Sequence, residues 1–187
     1  MAYEKGMKGQ FFLVSAFFLV LIFYMGAAVY LQPSHSKSGS EIPDLFDNIR
    51  SEYPHAFNLG LNESRPSEIL SDFTQLSINV SKSRGADLAA LWITTVNQSS
   101  DLNVTVGNFL GYDTNVTLNV SGSMKTLQVN TGNVESHLFS SPPSEFQLLA
   151  NFNTTGINLL LEKYKANLYV ILNMRMGEEK IINEEIS

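Results

Sequence analysis

The chain has 187 residues, no cysteine and a formal net charge of −6. Without cysteine it can form no disulfide, no thiolate zinc site and no iron–sulfur cluster. Beyond residue 31 it carries ten Lys and Arg against 17 Asp and Glu, a net charge of −7. A region this acidic cannot neutralise phosphates, so we expect no nucleic-acid partner.

An uncharged apolar run dominates the N-terminus. It extends from Phe11 to Leu31 and follows Lys5 and Lys8. As a helix these residues would be roughly 30 Å long, the thickness of the hydrocarbon core of a bilayer. The positive-inside rule places the lysines in the cytosol. We therefore expect membrane anchoring, with residues 1–9 cytosolic and the C-terminal domain extracellular.

A short linker and a first amphipathic helix follow this run. Residues 32–43 are rich in Ser, Gly and Pro, which is typical of a linker. Residues 44–57 then carry apolar side chains at helical spacing, and we expect Pro54 to kink or end that helix. The apolar positions of this stripe are Leu45, Phe46, Ile49, Tyr53 and Phe57.

A second helix is predicted over residues 66–84. Ser64 offers a capping hydroxyl, Pro66 suits the first turn, and Gly85 favours termination. One face of the helix carries apolar residues and should be buried. These residues are Ile69, Leu70, Phe73, Leu76 and Val80.

From residue 88 onwards the hydrophobic period changes to two, which is typical of half-buried strands. Predicted strands occupy residues 90–96, 102–106, 115–120, 125–130, 146–152, 157–162 and 167–175, and 167–176 and 180–186 form a final hairpin. The fold class expected is therefore α+β. It comprises an N-terminal transmembrane or pilin-type helix, one or two short amphipathic helices, and an antiparallel β-sandwich that is immunoglobulin-like or pilin-like.

These patterns divide the chain into five parts. They are a leader at 1–9, a hydrophobic helix at 10–31, a linker at 32–43, a helical segment at 44–87 and a β-sandwich at 88–187.

Asn-x-Ser/Thr triplets are more frequent than composition predicts. Seven occur in a chain with 17 Asn, where chance gives about three. Alternating strands with polar outer faces also produce such triplets, but the excess favours N-glycosylation outside the cell. The candidate sites are Asn62, Asn79, Asn97, Asn103, Asn115, Asn119 and Asn153.

No pattern of catalytic residues is recognisable in the sequence. The three His residues lack metal-ligand spacing, and there is no phosphate-binding loop or nucleophile elbow. We therefore expect no enzyme, no cofactor and no metal site. The opposing hypothesis is a glycan-binding or glycan-hydrolysing sandwich, and hydrolysis would require two neighbouring carboxylates.

The junction before the apolar run carries the strongest functional signal. Lys8, Gly9 and Gln10 stand directly before Phe11 with no polar spacer. Because glycine leaves the backbone accessible, a peptidase at the cytosolic face of the membrane could cut after Gly9 and spare the helix. The segment resembles the class III, prepilin-type signal peptide of archaeal type IV pilin-like proteins. Val14 stands at the fifth position after the cut, where many type IV pilins have Glu.

This resemblance implies a processing enzyme and a mode of assembly. The enzyme would be a prepilin peptidase, and the retained helices would pack into a homo-oligomer or filament with β-domains outside. Small residues allow helices to approach closely, although an ordinary anchor helix contains some as well. The candidate packing residues are Ser15, Ala16, Gly26, Ala27 and Ala28.

Three hypotheses for the N-terminus therefore stand together. The first is the pilin-like subunit cleaved after Gly9. The second is an uncleaved single-pass signal anchor that displays an adhesin or envelope protein. The third is a secreted protein cleaved after Ala28, for which residues 11–25 would form the hydrophobic region of a signal peptide. Their mature N-terminal residues differ and are Gln10, Met1 and Val29 respectively.

Overall fold

Two helices followed by nine strands make up the described part of this computed structural model, residues 41–152, 155–177 and 179–186. The helices are α1 (Glu41–Asn62) and α2 (Pro66–Ser83). The strands are β1 (Asp87–Gln98), β2 (Asp101–Phe109), β3 (Thr114–Val120), β4 (Ser123–Val129), β5 (Asn133–Phe139), β6 (Glu145–Phe152), β7 (Thr155–Glu162), β8 (Asn167–Met176) and β9 (Glu179–Ile186).

Helix α1 is longer than its sequence pattern predicts. All five residues of the predicted stripe are buried, which confirms the helix and its inner face. Pro54, however, lies inside α1 and does not end it. The proline costs about 3 kcal/mol in a helix interior, and burial of Tyr53 and Phe57 on either side of it offsets that cost. Because α1 begins at Glu41, the last three residues of the predicted 32–43 linker are helical.

Helix α2 ends at Ser83, one residue earlier than predicted, and has a different N-terminal cap. The N-cap residue is Arg65, which makes no capping bond with its side chain, and Ser64 has a φ of +60°. The predicted Ser64 cap is therefore wrong. The Arg65 guanidinium instead contacts Glu63 at 2.6 Å and Glu68 at 3.1 Å. At the other end Gly85 adopts a φ of +77°, which confirms the predicted glycine stop.

The predicted inner face of α2 is confirmed only in part. Leu70 is fully buried, and Phe73 and Val80 are half-buried and pack against the same core. Leu76, however, is 60% exposed, and Ile69 is only half-buried. The face against the sheet is mainly small and polar. It consists of Leu70, Thr74, Ser77 and Ser81. Since α1 already supplies the large side chains of this layer, α2 fits against the sheet through small ones.

The strands form two antiparallel sheets. Sheet A has the order β5-β2-β1-β8-β9, and sheet B has the order β4-β3-β6-β7. The chain changes sheet after β2, β4, β5 and β7. The final hairpin is confirmed, because Met176 of β8 lies opposite Glu179 of β9. The α+β class, with two helices before two antiparallel sheets that form a sandwich, is therefore confirmed.

Sheet A is covered on both faces, so the domain has two cores. One face packs against sheet B through alternate residues such as Leu91, Ile93 and Tyr169. The other face packs against the helices through Trp92 and Leu172 among others. Strand β1 is the centre of sheet A and contributes to both cores, which explains its almost continuously apolar sequence.

Trp92 requires a glycine on the neighbouring strand. It lies opposite Gly107 of β2, and its indole occupies the space that a Cβ at position 107 would need. The ring is fully buried between the helices and sheet A. Gly107 is therefore a packing residue within β2, although the predicted strand ends one residue before it, at residue 106.

Asn108 joins the two sheets at the end of β2. Its side-chain amide donates to the carbonyl oxygens of Val129 at 2.8 Å and Tyr112 at 2.9 Å, and its Oδ1 accepts from the Leu110 amide at 3.0 Å. The residue is fully buried. Such a completely bonded polar side chain fixes the loop between β2 and β3 against the end of β4.

Strand β5 is absent from the sequence-based prediction. It is an edge strand of sheet A with mostly exposed side chains, so its apolar residues do not alternate with polar ones. Only Phe139, its last residue, is buried. Pairing with β2 holds this strand in place. Such pairing cannot be predicted from the spacing of apolar residues within the strand itself.

Candidate functional site

The residues that carry the strongest sequence signal lie outside the described residues. These are the proposed processing residues Lys8, Gly9 and Gln10, and the packing residues Ser15, Ala16, Gly26, Ala27 and Ala28. Among the residues that the structure does describe, neither helix has the length and apolarity needed to cross a membrane.

Three of the candidate glycosylation sites lie at turns. Asn62 ends α1, Asn97 precedes the turn between β1 and β2, and Asn119 precedes the turn between β3 and β4. In each triplet the serine two residues later has a left-handed backbone. Ser64, Ser99 and Ser121 have φ values of 60°, 61° and 49°. The Asn119 Oδ1 also accepts a hydrogen bond from the Gly122 amide at 2.8 Å.

These turn sites differ in accessibility. Asn62 is exposed, whereas Asn97 and Asn119 are half-buried. The Oδ1 of Asn97 is buried without a hydrogen-bond partner. Turn sequons on the surface suit modification, because the backbone there is not held in a ladder on both sides. Asn62 is the most accessible of the three.

Three further sites lie within regular elements. Asn115 is exposed on the outer face of sheet B, and Asn79 is exposed on α2, although the hydroxyl of Ser81 in its triplet is buried. Asn103 is half-buried on the helix-covered side of β2, and its amide donates to Thr105 at 3.4 Å. Asn153 lies outside the described residues. The structure thus separates well-exposed candidates from partly covered ones, a distinction that the triplet alone does not give.

A buried lysine organises one end of the sandwich, and sequence analysis did not single it out. Lys163 is only 8% exposed. Its ammonium donates to the carbonyl oxygen of Ser100 at 2.6 Å and of Pro142 at 3.4 Å. It also lies 5.9 Å from the ring centroid of Tyr164. One side chain thereby links the β1–β2, β5–β6 and β7–β8 connections.

Asp101 reinforces the same end of the molecule. Its carboxylate accepts hydrogen bonds from the Ser100 hydroxyl at 3.0 Å and from the Ser141 amide at 3.1 Å.

The burial of Lys163 has no signal in the sequence, because a lysine after an apolar strand ordinarily indicates a solvated strand end. The hydrogen bonds of Lys163 are made to loops that lie 63 and 21 residues away in sequence.

A polar cleft opens at the other end of the sandwich, beside the first residues of β1. It has a volume of about 480 Å³, within the range of small-ligand sites. Arg175 and Lys180 contribute positive charge, and Asp87 and Asn173 add further polar groups. The Arg175 Nε donates to the Gly177 carbonyl at 3.0 Å, which orients the guanidinium.

A second, apolar groove of about 440 Å³ runs between the two helices. Leu59 and Leu76 line it and are 50% and 60% exposed. Glu52, Asp72 and His55 line it as well. The described residues contain no group of three or more His, Asp or Glu side chains that could hold a metal ion.

No protein-family model matches this chain. A search of curated proteins likewise finds no match.

Proposed function

We propose that this chain is a pilin-like structural subunit of the cell surface. In this proposal the leader 1–9 is removed after Gly9, and residues 10–31 form a helix that anchors the protein and then packs in an assembly. The observation that carries the proposal is the Lys8-Gly9-Gln10 junction directly before a full membrane span of uncharged residues. The proposal assigns no reaction and no cofactor to the chain.

The described domain supports this arrangement. It has two cores of its own, so its packing does not require the apolar run. Exposed sequon asparagines such as Asn62 and Asn115 are suited to glycosylation outside the cell. In the proposal the sandwich is a pilin-like head domain, with an immunoglobulin-like sandwich as the alternative within the same fold class.

The proposed partners follow from this arrangement. They are the membrane, further copies of the chain through the N-terminal helix, and a prepilin peptidase as the processing enzyme. The net negative charge beyond residue 31 disfavours nucleic acid as a further partner.

The N-terminal residue of the native protein tests the cleavage. Mass spectrometry should find Gln10 as the first residue. A Gly9→Leu variant should keep the leader, because the bulky side chain obstructs the peptide bond that is cut. Gly6→Leu, three residues earlier in the same leader, is the matched control and should mature normally. A native protein that starts at Met1 would refute cleavage and favour the uncleaved signal-anchor adhesin, and a start at Val29 would favour secretion.

The assembly step needs a separate test. Replacing Ala16 or Gly26 by Leu should reduce high-order assemblies, because small residues let helices approach closely. Val14→Leu enlarges a side chain on the face of the proposed helix opposite Ala16 and serves as the control. Processing at Gly9 should be unchanged in all three variants. If Ala16→Leu and Gly26→Leu assemble like the unsubstituted chain, the helix acts as an anchor alone.

A second candidate function is binding of an extracellular carbohydrate. The observation in its favour is the polar cleft that contains Arg175, Lys180 and Asn173. Acidic oligosaccharides should then bind the full chain, and Arg175→Ala should weaken that binding more than the change Lys125→Ala at an exposed site on β4. Equal affinities for the two variants would exclude the cleft as the binding site.

A further inference from the structure

The edge of sheet B at β7 is an unusual surface. Strand β7 pairs with β6 over eight residues, from Thr155 opposite Phe152 to Glu162 opposite Glu145. It is the last strand of its sheet, and no described strand lies on its other side. Alternate residues of β7 therefore present backbone amides and carbonyls that no strand in the described residues pairs with.

The four edge strands of the two sheets differ in charge. Proteins discourage unwanted pairing at an edge by placing charged residues or proline within the strand. β4 contains Lys125, β5 contains Glu135, and β9 contains Lys180 and three glutamates. β7 has one charged residue, Glu162, at its last position. Its edge therefore lacks the protection that the other three edges have.

The outer face of β7 also exposes a large apolar side chain. Leu160 is 78% exposed, more than any other large hydrophobic residue in the described part of the chain. Its neighbours Leu159 and Leu161 point into the sandwich core and are 7% and 6% exposed. Leu160 therefore adds nothing to this core, and contact with another molecule would remove its apolar surface from water.

We propose that β7 pairs edge to edge with β7 of a second copy, about a two-fold axis at Leu160. Antiparallel pairing about such an axis keeps the core faces of both sheets on the same side only if residue numbers opposite each other sum to an even number. The axis at Leu160 places Leu160 opposite itself. It also places Leu159 opposite Leu161, and Asn158 opposite Glu162.

The pairing in this register is chemically self-complementary. The two Leu160 side chains cover each other, and Leu159 and Leu161 extend the apolar face of the two sandwiches. The Asn158 amide can donate to the Glu162 carboxylate of the other copy, so the outer polar positions are also matched. The two four-stranded sheets then form one eight-stranded sheet, and each β7 loses its free edge.

This contact is independent of the N-terminal helix and of the cleavage proposed above. One strand pair buries less surface than a stable dimer interface, so the isolated contact is weak. Copies held in one membrane or one assembly have a high local concentration, which strengthens such a contact without new interactions.

Single cysteines provide the test, because the chain has none of its own. The Leu160→Cys variant of the full chain is prepared in detergent and oxidised mildly. The control is Met124→Cys on β4, the opposite edge of the same sheet, where the side chain is 67% exposed. Directly opposed residues have Cβ atoms about 4.5–5.5 Å apart, close to disulfide distance, so we expect cross-linking at least about tenfold faster at position 160. Equal rates at the two positions would overturn the proposal.

A charge at the same position gives a second, independent readout. Because the contact is weak, Leu160→Lys should lower the weight-average mass that sedimentation equilibrium gives for the full chain at high protein concentration, whereas Met124→Lys should not. Circular dichroism and thermal unfolding establish that both variants are folded. A weight-average mass equal to that of the unsubstituted chain in folded Leu160→Lys would overturn the pairing. Mature Gln10 ends should be found in both variants, so the failure of this proposal and the failure of the Gly9 cleavage are distinguishable.

Discussion

The two faces of sheet A pack in different ways. Against sheet B the core is apolar and alternating, with large side chains from both sheets interdigitating. Against the helices, α1 contributes large apolar residues, whereas the fully buried residues of α2 are Leu70 and the small polar residues Thr74, Ser77 and Ser81, with Phe73, Ile78 and Val80 half-buried beside them. The alternation of apolar and polar residues thus specifies the core between the sheets. The core between sheet A and the helices depends on which helix supplies the large side chains and which the small ones.

The difference also extends to polar groups. In the helical layer the Tyr53 hydroxyl donates to Thr74 at 3.2 Å, and the Thr74 hydroxyl donates to the Leu70 carbonyl at 2.7 Å. The Tyr53 and Phe73 rings meet edge to face with their centroids 4.9 Å apart. The helices are therefore oriented by directional contacts within their packing layer, whereas the directional contacts between the two sheets lie at the ends of the sandwich, at Asn108 and Lys163.

The largest effect should come from a cavity in the core between the sheets. Phe146 is 1% exposed and packs between them, so Phe146→Ala should lower the free energy of unfolding by about 3–5 kcal/mol. Urea unfolding of the full chain in detergent measures this. Met124→Ala, at an exposed site, should change stability by less than about 0.5 kcal/mol. A small effect of Phe146→Ala would mean that the core can collapse around the missing ring.

The inner face of α2 can be tested within one predicted stripe. Leu70→Ala should cost about 2–5 kcal/mol because the residue is fully buried. Leu76→Ala, at a 60% exposed site six residues later, should cost less than about 0.5 kcal/mol. Thermal and urea unfolding of the two variants distinguish the faces. Equal losses in the free energy of unfolding would show that the Leu76 side chain is buried.

Gly107 tests the contact between the sheet and the helical layer. Gly107→Ala places a methyl group against the Trp92 indole and should cost about 1–3 kcal/mol through overpacking. In a Trp92→Leu background most of that cost should disappear, because the smaller side chain leaves room. A double-mutant cycle on unfolding free energies measures this coupling. Strict additivity would argue against the contact.

The smallest effect concerns the buried tyrosine. Tyr53→Phe removes one hydrogen bond and should cost about 1 kcal/mol at neutral pH. Burial raises the pKa of Tyr53 above its ordinary value of 10.0, and the hydrogen bond to Thr74 opposes this only in part. Above pH 10 the unfolded chain therefore loses this proton while the folded chain keeps it, so stability falls with rising pH.

The comparison of wild type and Tyr53→Phe isolates that titration. Wild type should lose stability more steeply than Tyr53→Phe above pH 10, while the two should run in parallel between pH 6 and 9. Urea midpoints across this range provide the measurement. Parallel curves above pH 10 would mean that the hydroxyl reaches solvent.

Period-two alternation predicted the sandwich well, because strands such as β3 bury every second residue against the other sheet. It could not predict β5, whose position depends on pairing with β2. For α2 the apolar stripe predicted the helix but only part of its inner face, since α1 supplies most of the large side chains and small residues such as Thr74 and Ser77 fit beside them. Turn sequons such as Asn62 could be identified from sequence, but their exposure could not.

The sequence could not predict that three loops meet at Lys163, because the carbonyl groups that this side chain contacts, those of Ser100 and Pro142, lie far from it along the chain. In a chain without cysteine, the hydrogen bonds of this ammonium hold three connections together, as disulfide bonds do in many extracellular domains. Its hydrogen bonds involve no electron transfer. That end of the sandwich should therefore keep its structure in strongly reducing and strongly oxidising media alike.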